Sequence, residues 1–204
     1  SALAGRFRMQ GDTVKSKVIT ELKSFIKTLG LVMICFYFLT GYVFNVYRID
    51  GTSMNPLLED GQRVVTNRLS YKTGDVQRGD VVLFSAPSYP EKTFIKRVIG
   101  MPGEVVRIKK GVVYVDNRKV IDSYVPEEYR TTGYLKPVRI PLGHYFVAGD
   151  HRNHSSDSRL WVTKDNVSGF VPLRYIKGKV TFRIWPLGSF GIIPRIAPDK
   201  MLEN

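Results

Sequence analysis

A serine hydroxyl is a poor nucleophile until a neighbouring base takes its proton. Ser53 lies in Gly51-Thr52-Ser53-Met54-Asn55-Pro56, where Gly on one side and Pro on the other suggest a shaped turn exposing a hydroxyl. Taken alone, such a serine is a turn residue as readily as a nucleophile. Two kinds of base are available. The chain has three histidines, His144, His151 and His154, of which the last two fall in the polar stretch Gly149–Arg159. The other candidate is Lys96, in Phe94-Ile95-Lys96-Arg97-Val98-Ile99. On an alternating strand Phe94, Lys96 and Val98 share one face. Burial among such neighbours disfavours the ammonium form and lowers the amine's pKa, so that a neutral lysine can serve as a general base. A strand lysine that snorkels outward is the plain alternative. The residues alone leave both open.

The elements that would position these groups read as β. Arg63–Thr66, Asp80–Phe84, Thr93–Ile99 and Glu104–Ile108 are short and β-branched, with turn residues between them. Val105–Ile108 and Val112–Val115, joined through Lys109-Lys110-Gly111, read as a hairpin with Gly at its turn. Asp116-Asn117-Arg118 marks another turn, before Lys119–Ile121. Later strands are expected at His144–Ala148, Gly169–Leu173 and Lys179–Trp185. No long amphipathic helical period follows residue 50, so the expected fold class is mainly β, an antiparallel sheet domain. Residues 122–139, with Pro126, Gly133 and Pro137, are expected to form an irregular or hairpin excursion.

Ahead of that domain lies a different kind of sequence. Residues 1–27 carry Arg6, Arg8, Lys15, Lys17, Lys23 and Lys27 against Asp12 and Glu21. The next twenty residues, 28–47, contain no charge. At about 1.5 Å per residue they make roughly 30 Å of helix, the thickness of a hydrocarbon core. The expected organisation is therefore a basic segment 1–27, a transmembrane helix 28–47 and a β-rich domain 48–204. The basic head predicts a cytoplasmic N-terminus and an extracytoplasmic β domain. Residues 1–8 differ in character from the rest of the head, which makes Met9 a candidate start. The net charge of +13 suits an anionic partner, a nucleic acid or a membrane surface. The single cysteine, Cys35, excludes an intrachain disulfide and any Cys-rich zinc site.

The order of the motifs carries more than any one of them. An N-terminal anchor is followed by Ser53-Met54-Asn55-Pro56, then Arg78-Gly79-Asp80-Val81-Val82-Leu83-Phe84, then Lys96-Arg97-Val98-Ile99-Gly100-Met101-Pro102-Gly103-Glu104. Last comes Gly149-Asp150-His151-Arg152-Asn153-His154-Ser155-Ser156-Asp157-Ser158-Arg159. In this order the chain resembles the bacterial type I signal peptidases, membrane-bound Ser/Lys proteases, and its short length and single anchor resemble their Gram-positive branch. The resemblance implies Ser53 as nucleophile and Lys96 as general base. It makes Ser155 a hydroxyl that bonds and orients the lysine, and Asp157 and Arg159 a pair that braces the site. Asp150 and Arg152 match structural polar positions of the same loop. Gly51 stands where some members carry a Ser hydroxyl in the oxyanion hole, which leaves backbone N–H groups, chiefly that of Ser53, to hold the oxyanion. Leu57 stands where the family usually has Thr, and His151 where it usually has Asn. The implied substrates are signal-peptide-bearing pre-proteins lodged in the membrane, bound as an added strand at a sheet edge. No cofactor, metal or nucleic acid is implied, and the basic surface is assigned to anionic phospholipid. Met54 and its apolar neighbours are expected to lean on the lipid surface. The competing readings are a self-cleaving repressor, a silent homologue acting as an assembly or chaperone factor, for example in pilus biogenesis, and a basic membrane-surface module.

Overall fold

The computed structural model describes residues 2–86, 89–130, 133–162 and 169–203. It separates into two units, residues 1–43 and 44–204. The first is one helix, α1 (Ala2–Val43). Its stretch Lys17–Val43 contains an 18-residue window of mean hydropathy 1.7 and is long and apolar enough to cross a membrane by length and composition. The expected span 28–47 is shortened at its end. Phe44–Arg48 form strand β1, paired antiparallel with Arg63–Asn67, strand β2. Phe, Val and Tyr suit a pleated surface as well as a membrane helix, and here a partner strand claims them.

The second unit is built from two antiparallel sheets, as the strand pattern predicts. The larger follows the order β1, β2, β11 (Ile176–Trp185), β3 (Val81–Ala86), β4 (Tyr89–Gly100), β9 (His144–Ala148), β10 (Val171–Pro172). The short β12 (Gly191–Ile192) pairs with β11. The smaller sheet runs β7 (Arg118–Lys119), β6 (Val112–Val115), β5 (Val105–Lys109), β8 (Leu135–Arg139). The β5–β6 turn places Lys110 and Gly111 at φ 50° and 77°. The β6–β7 turn does the same with Asp116 and Asn117 at 48° and 66°. Two successive positive φ values match the right-handed twist of the flanking strands, and Gly, Asn and Asp accept them at least cost. Among the described residues, the 122–139 excursion contains a 3₁₀ turn (Glu127–Tyr129) and then β8, whose alternation is interrupted by Pro137 and was not evident in the sequence.

Apolar side chains gather in three clusters. One lies between the sheets, with Ile99, Phe146 and Ala148 meeting Val106, Val115 and Val138. A second holds Val64, Val81, Leu83 and Val180 together with Ile49, Met54 and Leu58. The third packs Val82, Phe84, Val98 and Val147, with Phe94 and Trp161 against them. Met54 is only 2% exposed and Leu58 is fully buried. The expectation that Met54 leans on lipid is therefore corrected: it anchors the serine-bearing turn to the core.

The turn before β3 has no room for a side chain. Gly79 sits at φ 86°, and a Cβ there would collide with the Ile196 carbonyl oxygen. Gly79→Ala should therefore lower the unfolding free energy of the intact chain by at least about 2 kcal/mol, read from denaturant midpoints. An unchanged midpoint would contradict this account of the turn.

Candidate active site

Strand β4 sets the floor of the site. It pairs with β3 along its length, Phe94 opposite Phe84 and Lys96 opposite Val82. On its other side β9 joins only from Arg97, which faces Ala148. Alternation turns Phe94, Lys96 and Val98 to one face, as expected, and Lys96 is 2% exposed. Phe94 lies beneath the amine, with Nζ 5.4 Å from the ring centroid.

The serine arrives on the turn that follows β1. Met54 and Leu58 bury on one side of it, while the Thr52 carbonyl closes it by accepting from the Asn55 N–H at 3.0 Å. Gly51, at φ 94°, donates its N–H to Asp60 Oδ1 at 2.7 Å. This places Ser53 Oγ 2.7 Å from Lys96 Nζ. The amine also donates to the Ile95 carbonyl oxygen at 3.1 Å. A neutral amine has two N–H groups and one lone pair. With one N–H committed to a carbonyl, the lone pair is free to meet the serine O–H. Among the described residues, none accepts a hydrogen bond from the Ser53 N–H. The surrounding cleft has a volume of about 610 Å³ and is bordered by Ile49–Met54, Leu83, Thr93–Lys96, His154 and Ser156.

Burial lowers the Lys96 pKa from 10.5 to about 8, the loss of water around the ammonium being the largest cause. The Asp157 carboxylate pulls the other way, Arg159 lowers it further and Asp150 raises it.

The loop 149–159 closes the site from behind. Asp157, fully buried, accepts from the Gly149 N–H at 2.8 Å, from the Ser155 hydroxyl at 2.6 Å and from Arg159 Nε and Nη2 at 2.9 and 2.8 Å. Burial opposes its ionisation, but the Arg159 charge and these hydrogen bonds prevail and hold its carboxyl below the usual range. Asp157 and Arg159 thus sit together as a buried ion pair. Ser155 differs. Its hydroxyl donates to Asp157, and among the described residues Lys96 bonds Ser53 and Ile95 instead. Ser155 is held beside the site by a carboxylate acceptor that is stronger than a neutral amine. Gly149 sits where a Cβ would collide with the Ser155 hydroxyl and the Ser53 carbonyl oxygen. Its lack of a side chain lets loop and turn approach.

Arg97, next to the lysine but on the opposite face of β4, was not singled out by its sequence context. It grips Asp150 through Nε and Nη2 at 2.9 and 2.7 Å, both residues buried. Its Nη1 also donates to the Gly79 carbonyl oxygen at 2.9 Å. Arg152 bonds the Gly149 carbonyl oxygen at 2.9 Å and the Tyr124 hydroxyl at 2.9 Å, and pairs with Asp122 at 3.3 Å. Arg78 bonds Glu104 and the Ile99 carbonyl oxygen, tying the turn after β4 to the one before β3. The signal that could have found Arg97 is the Lys96-Arg97 dipeptide itself: two adjacent charges in an apolar strand cannot both face water once β4 is central. Of the histidines, His144 Nδ1 is 2.9 Å from the Leu142 carbonyl oxygen, and His151 Nδ1 is 3.1 Å from that of Thr52. The group within reach of Ser53 Oγ is Lys96.

A mainly antiparallel β domain with an open cleft floored by a serine and a buried amine is the build of a peptidase. The chain belongs to the family described as "Signal peptidase, peptidase S26", which matches residues 22–185. It is 35% identical to "Probable signal peptidase I-1" of Synechocystis sp. over 188 residues, 85% of this chain and 90% of that one. It is 33% identical to "Signal peptidase IB" of Staphylococcus aureus over 186 residues, 83% of this chain and 93% of that one. It is 38% identical to "Signal peptidase I" of Bacillus caldolyticus over 161 residues, 73% and 84%. A crystal structure of a signal peptidase I from Enterococcus faecalis V583 matches with a TM-score of 0.42 and 28% identity, covering 52% of this chain and 97% of that one.

Removing the Asp150 charge leaves the Arg97 guanidinium buried without a counter-ion. Asp150→Ala should cost about 3–5 kcal/mol by chemical denaturation of the intact chain. A loss below 1 kcal/mol would show that the pair does not hold the loop.

Proposed function

We propose that this chain is a membrane-anchored serine endopeptidase that removes N-terminal signal peptides from exported pre-proteins, with Ser53 as nucleophile and Lys96 as general base. The observation that carries the reading is the 2.7 Å separation of Ser53 Oγ and a buried Lys96 Nζ at the floor of an open cleft. The family and the names of the relatives supply the substrate class. They do not favour the inert assembly factor, which would have no use for a serine set against an amine poised near neutrality.

The chemistry follows from the groups in place. Neutral Lys96 takes the Ser53 proton as Oγ bonds to the scissile carbonyl carbon. The oxyanion that forms is met by the Ser53 N–H. The Lys96 ammonium then gives its proton to the departing amine nitrogen, the C–N bond breaks and an ester remains on Ser53. Lys96, neutral again, takes a proton from an attacking water. It returns that proton to Ser53 Oγ as the ester C–O bond breaks. Asp157 and Arg159 support the loop behind the amine, with Ser155 beside them. Gly51 gives the turn its shape and leaves the oxyanion to backbone N–H groups.

The substrate lies extended in the cleft. Strand β4 has β3 on one side over residues 93–96 and acquires β9 on the other only at Arg97. The uncovered edge beside Lys96 suits an added peptide strand. The basic head orders the topology: residues 1–27 cytoplasmic, the apolar part of α1 in the bilayer, the β domain outside, its basic surface toward anionic phospholipid rather than nucleic acid. Ser53 then follows the membrane exit by few residues, where a membrane-lodged precursor presents its cleavage site.

Cleavage of a precursor in detergent or lipid vesicles tests the dyad. Ser53→Ala and Lys96→Ala should each lose more than about a thousandfold in rate. Wild-type activity in both would overturn it. Since the base must be neutral, kcat/KM should rise with pH and level off above a midpoint near 8, where Lys96 loses its proton. A limb centred near 6.5 would point to a histidine base instead.

A further inference from the structure

The proton transfer just described uses no histidine, yet His151 touches the serine-bearing turn at two points. Its backbone N–H donates to the Ser53 carbonyl oxygen at 3.1 Å. Its ring Nδ1 lies 3.1 Å from the Thr52 carbonyl oxygen. A carbonyl oxygen only accepts, so the geometry assigns the hydrogen to Nδ1. Two rings pack against the imidazole. Tyr129 lies 3.9 Å away, centroid to centroid, and His154 stacks at 5.1 Å. Asn153 donates to the Glu128 carbonyl oxygen at 2.8 Å, which ties the Tyr129 turn to the same loop.

The contact matters because of which peptide unit it grips. The Thr52 carbonyl and the Ser53 N–H belong to one planar amide, with the two bonds pointing in opposite directions. Whatever fixes the oxygen fixes the direction of the N–H. A donor on the oxygen also polarises the N–H and strengthens what it can donate. The Asn55 N–H alone would close the turn, but it lies within the same turn and moves with it. His151 reaches across from the loop that also carries Ser155 and Asp157.

We propose that His151 is a positioning residue that aims the Ser53 N–H at the developing oxyanion by holding the Thr52 carbonyl, with the Tyr129 and His154 rings keeping its imidazole in place. This rests on the serine–lysine reading above. It concerns the oxyanion donor rather than the base.

Two substitutions separate donor from ring. His151→Asn keeps a side-chain N–H able to reach the Thr52 carbonyl and loses the rings. His151→Phe keeps the stack and loses the N–H. Both are compared with wild type and Ser53→Ala in the intact chain, measuring kcat and KM on a precursor peptide, the Ki of a peptide aldehyde that forms a hemiacetal on Ser53, and the thermal midpoint. We expect His151→Phe to lose about 10- to 100-fold in kcat and a similar factor in aldehyde affinity, with KM within about threefold and the midpoint unchanged. His151→Asn should stay within about threefold of wild type in both. Wild-type kcat and aldehyde affinity in His151→Phe would overturn the proposal. So would equal losses in Asn and Phe, which would make the ring or the fold responsible. Should His151→Phe fail to fold, His151→Leu replaces it with the same expectation. Full activity in Ser53→Ala would instead remove the serine reading beneath the proposal, a distinct failure.

Discussion

An ammonium ion taken out of water loses several kcal/mol of solvation unless charges and dipoles replace it, and the site is arranged around that cost at Lys96. The lysine cannot turn away, because its pairing with β3 fixes the face of β4 it occupies and the residues beside it on that face are Phe94 and Val98. The Asp157 carboxylate would stabilise the ammonium, but it is engaged by Arg159, Gly149 and Ser155. The amine is left close to a serine hydroxyl and one carbonyl, a setting that tolerates the neutral form. The rest of the domain can be read as what it takes to hold that arrangement. Met54 and Leu58 sink the serine turn into the core, Gly149 lets the loop come close, and Arg97 with Asp150 locks the loop to the back of the same strand.

The same arithmetic explains the charge distribution. Five acidic residues of the β domain are each matched by a basic partner within it: Asp150 by Arg97, Asp157 by Arg159, Glu104 by Arg78, Asp80 by Lys179, Asp122 by Arg152. The excess of basic residues in the chain therefore falls to the surface.

How much of this could be read from the chain depends on which physical signal each residue carries. The hairpins were legible because Lys110-Gly111 and Asp116-Asn117 are turn residues with a backbone reason. The lysine face was legible because alternation is a rigid rule of strands. The end of the apolar span was not: Phe44–Tyr47 satisfy a membrane helix and a strand equally, and only the presence of β2 decides. Met54 looked like a lipid contact because an apolar residue in a turn gives no hint of the core it enters. The Ser155 hydroxyl's bond to Asp157 was not legible because sequence order does not say which acceptor the fold brings within reach. The His151 contact, a side chain of the loop on a main-chain carbonyl ninety-nine positions earlier, has no sequence signature.

The central claim is that burial lowers the Lys96 pKa far enough for the neutral amine to be populated near physiological pH, and direct titration of that amine tests it most simply. In the intact chain carrying Ser53→Ala, with lysine side chains labelled for NMR and Lys96→Ala used for assignment, the Lys96 resonance should titrate with a midpoint near 8. It should return toward 10.5 when the chain is unfolded. A folded-state midpoint near 10.5 would contradict the account: the amine would be charged across the working range, and whatever activates Ser53 would have to be something else.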